Sequence, residues 1–490
     1  MASGSDPMAT LTGAPAVLGS YTAQDHRRRL ENIGAFRRSI RTAMRTHLVT
    51  NYLPGQCAYN LCEYPCRQCW APNEYDEVEL DRLQAHGIGL IQVMDEWNDQ
   101  LGLFGGHKLT AMNPEGFRRF VDMVHRRGMK ILAYASSGYF TRTDPHFRQE
   151  WSRPGEFFFS GYWNMARCSP ASPGWRAHLL PRLVRILDEF EVDGLYNDAG
   201  YINNARKSVH ELAGDEVPAF DETPEYDGAL ADLLQLIYAE VSRRGGILKY
   251  HADETLRPLV GEAKVYDYLW VGEGRVGSLD RLRRETKNHP PYLVPCVQFP
   301  YIQLETGDEP YVHAIPYLQF PLLEGGRPYT GERALIPGVE YAPDRDQGAP
   351  ADDMTDWFRR NEAKWKYHQS HPDGPHIYSE WGPVPPRADY RERHARWLRR
   401  YLPLVEDGTW AWLEIGESDL FAHRLPEGVV ASAFANREAF VVLANYGGTA
   451  AEVAATDTYV PADELHAVPS RSWRIEAGAI QILRRDGRDV

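Results

Sequence analysis

Between about residues 45 and 340 the chain alternates short apolar, β-branched runs with longer stretches whose apolar positions recur at helical spacing. That is the pattern of βα units around a parallel sheet. Seven strands are predicted, over residues 47–53, 88–94, 130–135, 192–197, 247–250, 266–271 and 292–297, with an eighth between 312 and 339. Helices are predicted over 114–127 after Asn113, over 173–190 after Ser172, and over 226–244 before the Gly245-Gly246 stop. Seven or eight such units favour an α/β fold of the (β/α)8 TIM-barrel type over a doubly wound sheet. No Gly-x-Gly-x-x-Gly or Walker loop follows a strand, which disfavours dinucleotide and nucleoside triphosphate sites.

Residues 344–386 are polar, rich in Trp, His and Pro, and read as an excursion near the barrel mouth, and a basic amphipathic stretch over 390–402 supplies the last barrel helix. Beyond Asp407-Gly408 the rhythm changes. Residues 428–435, 440–445 and 471–483 alternate or run apolar around a Tyr446-Gly-Gly turn, predicting a C-terminal antiparallel β-sandwich. The expected organisation is an N-terminal extension over 1–44, whose first residues read as a cloning remnant, a barrel over 45–405 and the β-sandwich over 406–490.

Composition narrows function more than fold. Hydrophobic residues at 43% and charged residues at 25% are ordinary globular usage. A net charge of −14, from 54 Lys+Arg against 68 Asp+Glu, supplies no general pull toward phosphate or anionic lipid, so neither a nucleic-acid nor a membrane partner is expected. No apolar run approaches the roughly 18–20 residues of a membrane span, and no signal peptide is read. The expected location is the cytoplasm, or outside the cell if a leader has been removed. Nothing in the pattern sets an oligomeric state. Aromatic residues at 12% provide flat apolar faces with polar tips, which suit a carbohydrate cleft.

The ends of the predicted strands carry the chemistry, because a barrel of this kind builds its site at the carboxyl ends of its strands. The second runs into Asp95-Glu96-Trp97, the fourth reads Asp193-Gly-Leu-Tyr196-Asn197-Asp198, the fifth runs through His251 to Asp253-Glu254, and the sixth through Trp270 to Glu273. Four strands thus deliver carboxylates to one rim. Like charges brought together in a cleft cost free energy unless they are paired, protonated or used. Glycoside hydrolysis uses two of them: one protonates the leaving oxygen while the other attacks the anomeric carbon or activates water.

The segment Asp193 to Asp198 resembles the fourth-strand motif of retaining (β/α)8 glycosidases of the α-galactosidase and α-glucosidase clan. Asn113-Pro-Glu-Gly with His125-Arg-Arg-Gly-Met-Lys, Ser172-Pro-Gly-Trp175 and Val441-Val-Leu-Ala-Asn445 fit the same families. The resemblance covers roughly residues 80–300 and the C-terminal domain. It implies that Asp198 is the nucleophile. It places the acid/base after the sixth strand, where Glu273 stands between Gly272 and Gly274, although the α-galactosidase pattern has Asp there. In α-amylase-like barrels the acid/base follows the fifth strand, which selects Asp253 or Glu254 instead. Asp95, Glu96, Trp97, His107, Lys108, Trp163, Tyr196, Asn197, His251 and Trp270 are expected around the substrate, as hydroxyl ligands or stacking faces. Asp193, at the start of its strand, is expected to be structural. The partner is a carbohydrate or glycoside, and the mechanism needs no cofactor and no metal.

Two other readings compete. A non-catalytic carbohydrate-binding barrel would keep the aromatic cleft without two facing carboxylates. Cys62, Cys66 and Cys69 have the C-x3-C-x2-C spacing of radical S-adenosylmethionine enzymes, and with Cys57 they make a four-thiolate zinc site conceivable. No aromatic residue stands at position 68, and no Gly-Gly-Glu follows the second strand, which speaks against the radical enzyme. Ordinary thiols in the loop after the first strand are the plainer alternative.

Overall fold

The computed structural model describes residues 22–60, 71–94, 97–98, 109–111, 113–141, 144–158, 165–198, 224–251, 264–271, 291–295, 307–326, 388–464 and 466–487. The described chain opens on α1 (Ala23–Ser39), whose first turn is closed by a capping box between Thr22 and Asp25, and on the short strand β1 (Arg45–Leu48). Then come β2 (Gln56–Asn60), α2 (Glu74–His86), β3 (Leu90–Val93), α3 (Pro114–His125) and β4 (Lys130–Ser136). A three-stranded antiparallel excursion follows, β5 (Tyr139–Thr141), β6 (Ser152–Phe158) and β7 (Met165–Cys168). The unit resumes with α4 (Pro173–Phe190), β8 (Gly194–Asp198), α5 (Pro224–Arg243), β9 (Ile247–His251), β10 (Tyr268–Val271), β11 (Leu293–Pro295), α6 (Glu309–Ala314), β12 (Leu323–Gly326) and α7 (Ala388–Tyr401).

Eight of these strands form one parallel sheet in the order β11-β10-β9-β8-β4-β3-β2-β12. Its two edges meet where the Leu322 amide donates to the Pro295 carbonyl at 2.9 Å, so the sheet curls into a barrel. The register fixes which residues face inward. Gln56 on β2 accepts a 3.1 Å hydrogen bond from Lys249 Nζ on β9, four strands away in the sheet, and that bond has to cross the barrel. Strand alternation then turns Gln92, Tyr134, Ser136, Tyr196, Asp198, His251 and Trp270 inward with them. The intervening Cys57, Ile91, Ala133, Leu195 and Leu248 are fully buried against the helices.

Helix entries follow the expected chemistry. Asn113 accepts the Gly116 amide at 2.8 Å ahead of Pro114, and the Ser172 hydroxyl accepts the Trp175 amide at 3.3 Å ahead of Pro173. Gly87 closes α2 in the left-handed conformation with φ 99°.

The C-terminal domain contributes β13 (Trp410–Leu413), β14 (Val429–Ala435), β15 (Ala439–Asn445), β16 (Ala451–Pro461), β17 (Ser470–Ile475) and β18 (Ile480–Arg485) to a seven-stranded antiparallel sheet, order β1-β13-β14-β15-β18-β16-β17. One set of its side chains, including Phe434, Phe440, Val442 and Ile482, continues the core of the barrel. The other, including Trp412, Val441 and Leu443, packs with Ile33 and Phe36 of α1.

One expectation is corrected. The first barrel strand is not residues 47–53: β1 pairs antiparallel with β13, and β2 takes the barrel position beside β3. The inward Gln56 interrupts the apolar run by which a strand is read from sequence. Cys57 therefore lies within the first strand and not in the loop after it. The eighth strand, β12, falls inside the expected interval. The excursion over 344–386 lies outside the described residues. Among the described residues no helix is long and apolar enough to cross a membrane.

Candidate functional site

β8 presents Asp198 as its last residue, in register with Ser136 of β4 and His251 of β9. Gly194 is what lets this strand lie where it does: at φ 155°, a Cβ there would meet the Ile247 carbonyl oxygen at 1.8 Å. The other end is tied to β4. The Ser136 hydroxyl and the Ser137 amide both donate to the Asp198 carbonyl, at 2.9 and 3.0 Å.

The Asp198 carboxylate is 13% exposed. Its Oδ2 accepts from the Tyr134 hydroxyl at 2.7 Å, and its Oδ1 stands 3.9 Å from His251 Nδ1. His251 Nδ1 in turn lies 3.0 Å from the Tyr196 hydroxyl. Beside the carboxylate the rings of Tyr196, His251 and Trp270 pack on one another, with centroids 4.7–5.9 Å apart. Lys249 Nζ sits 5.6 Å from the Trp270 ring centre. A largely shielded carboxylate beside an aromatic cluster has two chemistries open to it. It can act as a base or as a nucleophile whose attacking oxygen is defined by what holds the other one.

The expected residues divide sharply. Asp198, Tyr196, His251 and Trp270 are brought together, the last three as a buried ring cluster, with His251 and Trp270 only 3% and 2% exposed. Trp97 is corrected: it is fully buried, its ring stacked on Phe117 with centroids 4.5 Å apart and its indole N–H donated to the Tyr134 carbonyl at 2.9 Å. It braces the barrel wall and offers no face to a ligand. Asn197 is corrected too. Strand alternation turns it out of the barrel, where its Oδ1 accepts the Ser137 amide at 3.1 Å, so it holds strand ends together. Asp193 is structural, accepting from the Ile131 amide at 2.9 Å and standing 2.8 Å from His125 Nε2. Glu273, Asp253, Glu254, Asp95, Glu96, His107, Lys108 and Trp163 lie outside the described residues, as do Cys62, Cys66 and Cys69.

Cys57 is corrected as a ligand. Its side chain faces the helix layer beside the Glu79–Arg391 ion pair, its Sγ donates to the Ala58 carbonyl at 3.4 Å, and burial pushes its thiol well above the usual range. A metal needs the thiolate, which this setting opposes. Among the described residues no group of three or more His, Cys, Asp or Glu side chains is placed to hold a metal ion.

Tyr134, Gln56, Gln92, Ser136 and Lys249 are inward polar residues missed by reading the sequence. The signal was present at Lys249, a cation in the middle of the strand Ile-Leu-Lys-Tyr-His, which is difficult to bury except against a polar partner across a barrel.

No family model matches the sequence, and no curated protein is similar to it in sequence. Solved structures share the fold. A structure described as a "Family GH13_31 enzyme" is 10% identical with a TM-score of 0.52, covering 88% of this chain and 98% of its own. A mutant of MUTB with one substitution, from crystals soaked with trehalulose, is 11% identical with a TM-score of 0.51, covering 89% and 98%. The maltogenic α-amylase AmyB from Thermotoga neapolitana is 12% identical with a TM-score of 0.50, covering 88% and 98%. At these identities the likeness is one of fold, a TIM barrel followed by a β-domain.

Proposed function

We propose that this chain is a glycoside hydrolase acting by a two-carboxylate, retaining mechanism, with Asp198 as nucleophile. The observation that carries the reading is the placement of Asp198. It ends the fourth parallel strand, is largely shielded, has one oxygen held by Tyr134, and stands beside the Tyr196–His251–Trp270 ring cluster. The α-amylase-type enzymes that share the fold support it.

The acid/base is Glu273, two positions beyond the end of β10, which is the arrangement of the α-galactosidase and α-glucosidase clan. A second reading, Asp253 or Glu254, is favoured by one feature of the sheet. β9 is the immediate neighbour of β8, with His251 directly opposite Asp198, so a carboxylate leaving β9 starts about 4.8 Å from the nucleophile strand and one leaving β10 starts about twice as far. Retention calls for carboxyl groups about 5–5.5 Å apart, and inversion for about 6.5–9.5 Å.

In the reaction Asp198 is ionised while the acid is protonated. Attack gives a glycosyl ester and the freed acid/base then activates water. A panel of aryl glycosides in both anomers supplies the test. Asp198→Asn abolishes turnover of any substrate found while leaving the thermal transition in place, and near wild-type activity in that variant overturns the nucleophile. Glu273→Gln, Asp253→Asn and Glu254→Gln then separate the acids. The true one loses most activity on glycosides with poor leaving groups and least on those with activated ones.

A further inference from the structure

Nothing in the local pattern Ile131-Leu-Ala-Tyr134-Ala-Ser marks Tyr134, yet it is the one described side chain that hydrogen-bonds the Asp198 carboxylate. The sheet explains the reach. Tyr134 lies opposite Tyr196, two positions before Asp198's level on the neighbouring strand, a rise of about 6.6 Å that a tyrosine leaning along its strand spans. The residue is fixed at its ring and at its backbone. It meets Tyr196 edge-on with centroids 5.4 Å apart, and its own carbonyl accepts the indole N–H of the buried Trp97. An ionised carboxylate only accepts, so the phenol is the donor.

We infer that Tyr134 is a positioning residue for the reacting carboxylate: it holds Oδ2 of Asp198 and speeds the step in which the carboxylate is released. This rests on the reading of Asp198 as nucleophile. In the first step a carboxylate oxygen of Asp198 bonds to the anomeric carbon, the glycosidic bond breaks with its electron pair on the leaving oxygen, and that oxygen takes the acid's proton. The carboxylate charge is consumed in the ester. In the second, a water oxygen bonds to the anomeric carbon, a water proton passes to the acid/base, and the ester bond breaks with its pair returning to Asp198. A phenol bonds a carboxylate more strongly than it bonds an ester, because the first bond is charge-assisted. It therefore stabilises the departing group of the second step, while in the first step its main contribution is alignment.

Glycosyl fluorides of glucose and galactose, in both anomers, test this, since fluoride leaves with little help from an acid and exposes the second step. With Tyr134→Phe, kcat falls about tenfold to a hundredfold, the range of a hydrogen bond to a charged group. KM falls with it, and intact-mass measurement during turnover shows the enzyme carrying one glycosyl unit on Asp198. A kcat within twofold of wild type overturns the inference, and so does a parallel fall in kcat and kcat/KM with no adduct, which is what a merely structural role gives. If the phenylalanine variant fails to fold, 3-fluorotyrosine in place of Tyr134 keeps the shape and strengthens the donor. It raises the rate of ester hydrolysis, and an unchanged rate overturns the inference. Failure of the underlying reading looks different: wild type turns over none of the four fluorides, or Asp198→Asn keeps its activity.

Discussion

At the scale of single residues, the position of Asp198 depends on a glycine four residues earlier as much as on its own contacts. A Cβ on residue 194 would lie 1.8 Å from the Ile247 oxygen and 2.8 Å from the Ile247 nitrogen, both backbone atoms that no rotamer change relieves. Gly194→Ala should therefore cost roughly 3 kcal/mol through backbone strain and overpacking together, read as a lower urea midpoint. It should also reduce activity more than a core substitution of equal cost elsewhere, because the strain sits on the strand that carries Asp198. An unchanged midpoint counts against the close β8–β9 approach. The place of Asp198 was legible in the sequence, as the residue that ends an apolar strand run. Trp97 and Asn197 were misread for a common reason: a side chain's direction just past a strand depends on alternation and on the wall behind it, and neither is visible in the order of residues.

Among elements, the strands with continuous apolar runs were legible, and α4 spans the predicted residues from Pro173 to Phe190. β2 was not, because its inward Gln56 breaks the apolar run and has its oxygen satisfied by Lys249, far along the chain, while its amide donates to the Leu53 carbonyl. The barrel's first and last long helices are joined by contacts of the same non-local kind. α2 and α7 meet through the buried ion pair Glu79–Arg391 and through His86 and His394. His394 Nε2 faces the Pro321 carbonyl at 3.0 Å and so carries the hydrogen. Its Nδ1 is then an acceptor, for a hydrogen on His86 Nε2 2.8 Å away.

This pattern makes His394 neutral, and the surroundings of His86 disfavour its charge as well. Burial first, then for His86 the cations Arg391 and Arg399, and for His394 the other ring and Arg391, hold them down to about 4 and about 3. In the unfolded chain they titrate near 6.5, so below that pH the unfolded state binds protons that the native state refuses. Stability is unaffected by the pair above about pH 6.5 and declines as the pH falls toward about 4, by about 1–2 kcal/mol or more. Urea unfolding at a series of pH values measures the decline, and His394→Gln should flatten it while lowering stability at neutral pH. A wild-type curve that is flat between pH 6.5 and 4.5 contradicts the neutral pair.

For the whole molecule, the change of rhythm after residue 407 announced a second domain, but nothing in the sequence announced that the start of the chain completes it. α1 and β1 are too remote from β13 for any local pattern to link them, and the pairing is held by ladder bonds from Arg45–Leu413 to Leu48–Trp410 and by Phe36 set edge-on to Trp412. The opposite side of the sheet is fastened to the barrel. Tyr317 donates to Glu414 at 2.8 Å, Ser432 to the Pro316 carbonyl at 2.8 Å, and Tyr446 to the Val312 carbonyl at 3.1 Å, around the shared core at Phe434 and Phe440.

The β-domain therefore lies between the barrel and α1, with apolar cover required on both faces, so the parts should melt together. Scanning calorimetry of the full chain is expected to show one transition with calorimetric and van't Hoff enthalpies in agreement. Deleting residues 22–48 uncovers Trp412, Val441 and Leu443 and opens the edge of β13. An apolar face beside an unpaired strand edge associates with its own kind, so the shortened chain should aggregate or lose its transition by more than about 10 °C. Two resolved transitions in the full chain, or a shortened chain that stays monodisperse with an unaltered midpoint, would show that the domains hold their structure independently.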